Sequence, residues 1–243
     1  MPDWLTARPV AHRGLHDAAV GVIENTATAF TAAIAGHYAI ECDLQLSADG
    51  EAMVHHDDQL GRLTDGAARL DALSAAELKQ ARFRATADRM LTLGELCDLV
   101  ARRVTLVLEL KSRFDGDPRL PRRVAEVLAG YRGPVAVMSF DPAAVAALRE
   151  IAPAIPRGLV AQKQDKTEGH HERQASPFSF ASQTLAARLA FLAYRVQDLD
   201  SPMPRMARNL FGLSLLTWTV RTAAERERAV RFADQMIFEG FRP

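Results

Sequence analysis

The chain is predicted to fold as a closed (β/α)8 barrel, the TIM-barrel architecture, and three observations point there. Eight short, apolar, β-rich runs recur along the 243 residues, with stretches between them long enough to hold crossover helices. Hydrophobic residues make up 48% of the chain, enough to fill one core, so residues 1–243 are expected to form a single domain. Strands separated by helices must run parallel, because a parallel neighbour is reached only through a long crossover. Eight such strands close a barrel.

In chain order the runs are PVAH at 9–12, AIECDLQL at 39–46, VTLVLEL at 104–110, PVAVMSF at 134–140, RGLVAQ at 157–162, FLAYRV at 191–196, LSLLTWTV at 213–220 and DQMIFEG at 234–240. Helix starts fall between them. Asp117-Pro118 and Asp141-Pro142 each set an acidic N-cap before a proline at the first helical position, and Thr92 with Glu95 reads as a capping box ahead of Leu96 and Leu99. Residues 47–90 do not fit one βα unit: they hold a hairpin pattern (ADGEAMVHHD), a loop with Gly61 and Gly66, and a helix started by Ser74. This is a short insertion after strand two. Residues 163–180, polar and then Pro/Ser/Phe-bearing, read as a long loop after strand five and a candidate for mobility.

Lys plus Arg equals Asp plus Glu at 30 each, so no net field favours nucleic acid or an anionic membrane, and any anion must be held by a local site. Only four of those basic residues are lysines, at 79, 111, 163 and 166, which singles out Lys111 beside an acid. Cys42 and Cys97 lack any C-x-x-C spacing, as suits a reduced compartment. The N-terminal residues show no basic segment followed by an apolar one, and no apolar run approaches the roughly 18 residues of a membrane span. A cytoplasmic protein without a transmembrane segment is expected; the oligomeric state is open.

In a parallel barrel the chemistry gathers at the C-terminal strand ends. Strand two carries Glu41-Cys42-Asp43, whose period of two sends both carboxylates to one face and Cys42 to the other. Glu109 and Lys111 repeat that spacing on strand three. Three hard oxygen ligands with room for water and a phosphate oxygen describe one divalent cation, Mg²⁺ or Ca²⁺, and not zinc. Strand one ends in His12-Arg13-Gly14, where a tight turn can present a planar guanidinium to a phosphate. Of His55 and His56, alternation counted from Val54 turns His56 toward the site. Two imidazoles suit a reaction in which one group deprotonates a nucleophile and another protonates a leaving alkoxide.

These residues resemble the glycerophosphodiester phosphodiesterases, in the superfamily shared with phosphatidylinositol-specific phospholipases. The matching pieces are AHRG (11–14), ENT (24–26), ECDLQLSADGEAMVHHDDQLGRLT (41–64), LTLGEL (91–96), LVLELK (106–111), MSFDP (138–142) and LLTWTV (215–220). The resemblance implies that His12 and His56 are the general acid/base pair and that Glu41, Asp43 and Glu109 hold the metal. It further implies that Arg13 and Lys111 bind phosphate, that Glu24 supports them, and that Trp218 covers the glycerol or alcohol group. The family's histidine directly precedes Asp, which again selects His56. Two departures bear on substrate. The final strand reads MIFEGF where many relatives have Thr-Asp, leaving open whether Glu239 inherits that role, and the insertion is short, about 30 residues from Asp57 to near Arg89.

The implied activity is metal-dependent hydrolysis of small-molecule glycerophosphodiesters to an alcohol and glycerol 3-phosphate, either through a cyclic phosphate or by direct attack of water. Two alternatives stand beside it. One is a lysophospholipase D-type activity with Phe178, Phe180 and Phe191 as an apolar rim; the other is a barrel that binds phosphorylated ligands without turnover, suggested by the unusual last strand.

Overall fold

The computed structural model describes residues 2–163 and 177–243. Nine strands are present among them: β1 Val10–Ala11, β2 Ala39–Leu46, β3 Ala52–Val54, β4 Leu106–Leu110, β5 Val135–Ser139, β6 Arg157–Ala161, β7 Phe191–Arg195, β8 Ser214–Val220 and β9 Gln235–Phe238. The helices are α1 Ala27–Ala35, α2 Ala75–Gln80, α3 Leu93–Val100, α4 Arg119–Leu128, α5 Pro142–Ile151, α6 Pro177–Ala187, α7 Pro202–Phe211 and α8 Ala223–Phe232. Eight strands pair in parallel in the order β1-β9-β8-β7-β6-β5-β4-β2, and β1 also pairs with β2, which closes the ring. This is the expected (β/α)8 barrel. β3 lies antiparallel to the end of β2 as a hairpin, with Gly50 at φ +84° in its turn.

Alternation along the strands sorts the core into layers. Val10, Ala39, Val107, Met138, Phe191 and Leu216 fill the barrel interior, whereas Ile40, Cys42, Leu44, Leu106 and Leu108 pack outward in the layer that includes Phe30, Leu96 and Val124 of the helices. Met53, Leu70, Leu78, Phe83 and Met90 form a separate small core within the insertion after β2. No helix among the described residues is long and apolar enough to cross a membrane.

Helix starts follow the local chemistry. Asp141 accepts the Ala143 N–H at 2.8 Å ahead of α5, and Thr92 with Glu95 and Ser74 with Glu77 form full capping boxes on α3 and α2. Before α4 the expectation is off by one residue: the helix begins at Arg119, Pro118 occupies the cap position, and Asp117 reaches forward to accept the Arg119 N–H at 2.9 Å. The expected loop at 163–180 is corrected at its far end, where α6 already begins at Pro177; residues 164–176 lie outside the described residues. Phe180 and Phe191 are both fully buried, Phe180 in the outer layer and Phe191 inside the barrel, so neither belongs to an apolar rim. The side chain of Phe178 lies outside the described residues.

The turn after β1 is the tightest constraint near the barrel mouth. Arg13 and Gly14 both sit in the left-handed region, at φ +55° and +81°, and a Cβ on Gly14 would lie 2.9 Å from Ala29 of α1. Gly14→Ala is expected to destabilise the fold by roughly 1–3 kcal/mol, read from urea unfolding at neutral pH. A midpoint equal to that of the unsubstituted protein would show that α1 yields without cost.

Candidate active site

β2 and β4 build the centre of the site. Their parallel register sets Asp43 beside Glu109 and Glu41 beside Val107, and the period of two turns all three acids inward while Cys42 and Leu108 face the helices. Glu41, Asp43 and Glu109 are buried, yet one carboxylate oxygen from each lies within 4.8 Å of the other two. Burial, with the charges of Asp43 and Glu109, pushes the Glu41 carboxyl well above the ordinary range. Asp43 goes the other way. Burial alone would raise it, but Lys111 and Arg13 outweigh burial and hold it far below. Lys111 Nζ lies 2.8 Å from Asp43 Oδ1 and also donates to Glu109; those two charges, against burial, keep the ammonium protonated.

The turn after β1 brings in the second layer of charge. The Arg13 backbone N–H donates to Glu41 Oε2 at 2.9 Å, its guanidinium donates to Glu24 Oε1 at 2.7 Å, and its Nε sits 3.2 Å from Asp43 Oδ2 without hydrogen-bond geometry. Asn25 follows at φ +56° and donates from Nδ2 to Asp43 Oδ2 at 2.9 Å, while Thr26 caps α1. Glu24 is shared with Arg62 of the insertion, 2.7 Å away, and Arg62 in turn binds Asp57. A chain of alternating charge runs Asp57, Arg62, Glu24, Arg13, Asp43, Lys111, Glu109 from the surface to the barrel interior.

The two expected histidines have different surroundings. His12 is nearly enclosed: Nδ1 meets Glu239 Oε2 at 2.5 Å, and Nε2 lies 3.9 Å from Glu41 Oε2. Burial lowers its basicity, partly offset by Glu239. Glu239 is itself held down, since the hydrogen bond from His12, the nearby His16 imidazole and the Arg221 guanidinium, 2.5 Å from Oε1, overcome the upward push of burial. His56 is one-third exposed and holds Asp57 Oδ1 at 2.8 Å through Nδ1. His55 is buried and packs edge-on against Phe83 under the insertion. Alternation from Val54 is not what separates the two: Val54 pairs with Leu44 in the outer layer and β3 stops there, so the turn that follows sets both rings.

His56 and Lys111 open onto a cavity of about 530 Å³ between the insertion and the segment after β4, lined also by Asp58, Arg69, Arg113 and Asp117. Trp218 sits near the end of β8 among the interior residues, its Nε1 donating to the Ala193 carbonyl at 3.2 Å and its ring edge-on to Phe140 at 5.5 Å. The structure thus brings His12, Arg13, Glu24, Glu41, Asp43, Glu109 and Lys111 together, with Glu239 added through His12. Asn25, Arg62, Asp57, His16 and Arg221 also contact these groups and were not among the expected site residues. His16, four residues after His12, Asp57, directly after His56, and Asn25, directly after Glu24 in the ENT piece, carried a proximity signal; Arg62 and Arg221 carried none that spacing reveals.

The donor set can be tested against a divalent cation. Glu41 Oε1 is buried with no hydrogen-bond partner among the described residues, and it belongs to the group of three converging carboxylates. An all-oxygen set of this kind fits Mg²⁺ or Ca²⁺.

A parallel barrel with buried carboxylates and two carboxylate-bound imidazoles around its C-terminal mouth is an arrangement suited to phosphoester chemistry. The sequence profile of the Glycerophosphoryl diester phosphodiesterase family matches residues 12–241, and the chain belongs to that family. It is 29% identical over 175 residues to a Mycobacterium tuberculosis protein named "Probable glycerophosphodiester phosphodiesterase 1", an alignment covering 62% of this chain and 63% of that one. It is also 29% identical over 163 residues to the glycerophosphodiester phosphodiesterase of Caldanaerobacter subterraneus, covering 63% and 66%. These matches thus span just under two thirds of the length of either relative. Among solved structures, an Oleispira antarctica phosphodiesterase superposes with a TM-score of 0.79 at 22% identity over 97% of this chain and 94% of that one. A Thermotoga maritima glycerophosphodiester phosphodiesterase superposes at 0.74 and 23% identity over 95% and 94%, and both share the barrel.

Glu24 offers a pH test of the charge chain. Burial would raise its carboxyl, but Arg62 and Arg13 lower it from the ordinary 4.5 to about 2. A carboxylate depressed in the folded state stabilises fully above its unfolded value and loses that contribution as pH falls through the folded one. Stability should therefore drop between pH 4.5 and about 2. Glu24→Gln should flatten that part of the profile in urea titrations at stepped pH; an unchanged slope would place the acid response elsewhere.

Proposed function

We propose that this barrel hydrolyses small glycerophosphodiesters to an alcohol and glycerol 3-phosphate, with one divalent cation on Glu41, Asp43 and Glu109 and with His12 and His56 moving the protons. The observation that carries the reading is the buried carboxylate trio, with its unpartnered Glu41 oxygen, set between the Arg13 guanidinium and the Lys111 ammonium. Membership of the family supports the substrate class, and the Oleispira antarctica neighbour is described in complex with the product sn-glycerol-3-phosphate. Free, buried thiols at Cys42 and Cys97 support a cytoplasmic location.

A divalent cation held by Glu41, Asp43 and Glu109 would supply Lewis-acid polarisation of the phosphoryl group. Arg13 offers the phosphate its Nε–H, which has no hydrogen-bond acceptor among the described residues, and Lys111 supplies a second positive charge from the adjoining strand end. Each imidazole is held at Nδ1 by a carboxylate, Glu239 for His12 and Asp57 for His56, so each presents Nε2 as the proton-exchanging nitrogen. One takes a proton from the attacking hydroxyl as the new P–O bond forms. The other gives a proton to the departing alkoxide as the old P–O bond breaks. Trp218 near the end of β8 serves as an apolar wall for the glycerol or alcohol group.

The decisive assay incubates the pure protein with glycerophosphocholine and Mg²⁺ or Ca²⁺, with and without chelator, and measures released glycerol 3-phosphate. Chelator-sensitive release is expected. Its failure across a small panel of glycerophosphodiesters, with a folded protein, would overturn the activity. His12→Ala and His56→Ala should each lower kcat by roughly 10²–10⁴, and Glu109→Gln should raise the cation concentration needed for half activity. Full activity in His56→Ala would remove that residue from the mechanism while leaving the reaction class standing.

A further inference from the structure

We propose that His12, His16 and Glu239 form a second cation site, chemically distinct from the carboxylate trio, that takes Zn²⁺ and turns the enzyme off. One ligand atom from each of these three side chains lies within 4.8 Å of the other two. Glu239 is already oriented to act as a ligand, because Arg221 holds Oε1 at 2.5 Å and leaves Oε2 between His12 Nδ1 at 2.5 Å and His16 Nε2 at 3.6 Å. His16 Nε2 is a buried nitrogen without a hydrogen-bond partner among the described residues, aimed at that oxygen. Zinc bonds of about 2.1 Å in a tetrahedron put ligand atoms about 3.4 Å apart, so the pairwise separations, all within 4.8 Å, need change by no more than about 1.4 Å to enclose the ion, with water as the fourth ligand.

The two sites divide by donor chemistry. Three carboxylates suit a hard ion such as Mg²⁺ or Ca²⁺, whereas two imidazoles and one carboxylate favour Zn²⁺ over either. Metal bound at His12 Nδ1 displaces the hydrogen shared with Glu239 Oε2, and the neutral ring carries its single N–H proton on Nε2 instead, with no net proton lost from the ring. It can no longer accept a proton there, and the step that requires His12 as a base stops. The inhibitory half of the proposal rests on the proton-transfer role given to His12 above; the binding half does not.

Co²⁺ serves as a spectroscopic stand-in for Zn²⁺, in a background of excess Mg²⁺ that fills the carboxylate trio. The protein should show the intense visible bands of four-coordinate Co²⁺, bleached by one equivalent of Zn²⁺. His16→Ala, and the closer replacement His16→Gln, should lose the bands and raise the Zn²⁺ Kd by roughly tenfold or more, while Glu109→Gln should keep both. In turnover assays Zn²⁺ should inhibit the wild-type enzyme, and the His16 variants, each measured against its own zinc-free rate, should need at least about tenfold more Zn²⁺ for half inhibition. Bands that survive in both His16 variants, or vanish in Glu109→Gln, would put the metal on the carboxylates and overturn the site. A protein that hydrolyses nothing yet shows His16-dependent Co²⁺ bands would keep the site and lose the activity; hydrolysis without such bands would do the reverse.

Discussion

Three carboxylates buried at one end of a barrel set the terms for everything around them. At about 4 Å and the effective dielectric found near protein surfaces, each like-charged pair costs about 4 kcal/mol, a large fraction of the roughly 5–15 kcal/mol by which a domain is stable. Three charges cannot stand there alone. The structure answers with a cation on either side, Arg13 and Lys111, and with a Glu41 carboxyl whose protonated form is strongly favoured by burial and by its neighbours. The same three carboxylates form the group that could hold a metal ion, and Asp43 and Glu109 of that group are the ones that bind Lys111.

Asp43 is where these demands meet. It takes Lys111 on one oxygen and Asn25 on the other, with Arg13 Nε close by, and its own N–H faces the Asn25 side chain. From there charge alternates outward through Arg13, Glu24 and Arg62 to Asp57, which holds His56. The insertion after β2 thus does more than cover hydrophobic surface. Through Arg62 it fastens the turn after β1, and through Asp57 it orients an imidazole, so two groups from separate parts of the chain reach the barrel mouth in fixed relation.

The fold and the carboxylate trio were legible in the sequence because both rest on short-range periodicity. A period of two places Glu41 with Asp43, and Glu109 with Lys111, before any tertiary contact is known, and β2 forms over the same residues, 39–46, that its apolar run marks. His56 was legible by resemblance but not by parity, since β3 ends at Val54 and alternation has no meaning in the turn beyond it. Phe180 and Phe191 stood open between an apolar rim and core packing for a related reason: an aromatic near a strand end or helix start carries no sign of whether it faces solvent or core, and both are in the core. Arg62 and Arg221 were illegible altogether. Each acts across 18 or more residues of sequence, Arg62 on Glu24 and Arg221 on Glu239, and long-range ion pairs leave no local pattern.

Glu239 shows how one such contact follows from barrel closure. The His12 N–H donates to the Phe238 carbonyl at 2.9 Å, and Glu239 donates its own N–H to Val220 at 3.1 Å, so the seam between β1 and β9 and the seam between β9 and β8 fix the carboxylate from both sides. His12 can meet Glu239 only if the last strand returns beside the first. Arg221 holds the outer oxygen of Glu239 while the inner one faces the imidazole. The unusual last strand is therefore consistent with a working site. A carboxylate meets the imidazole there, and an arginine from the end of β8 restrains it.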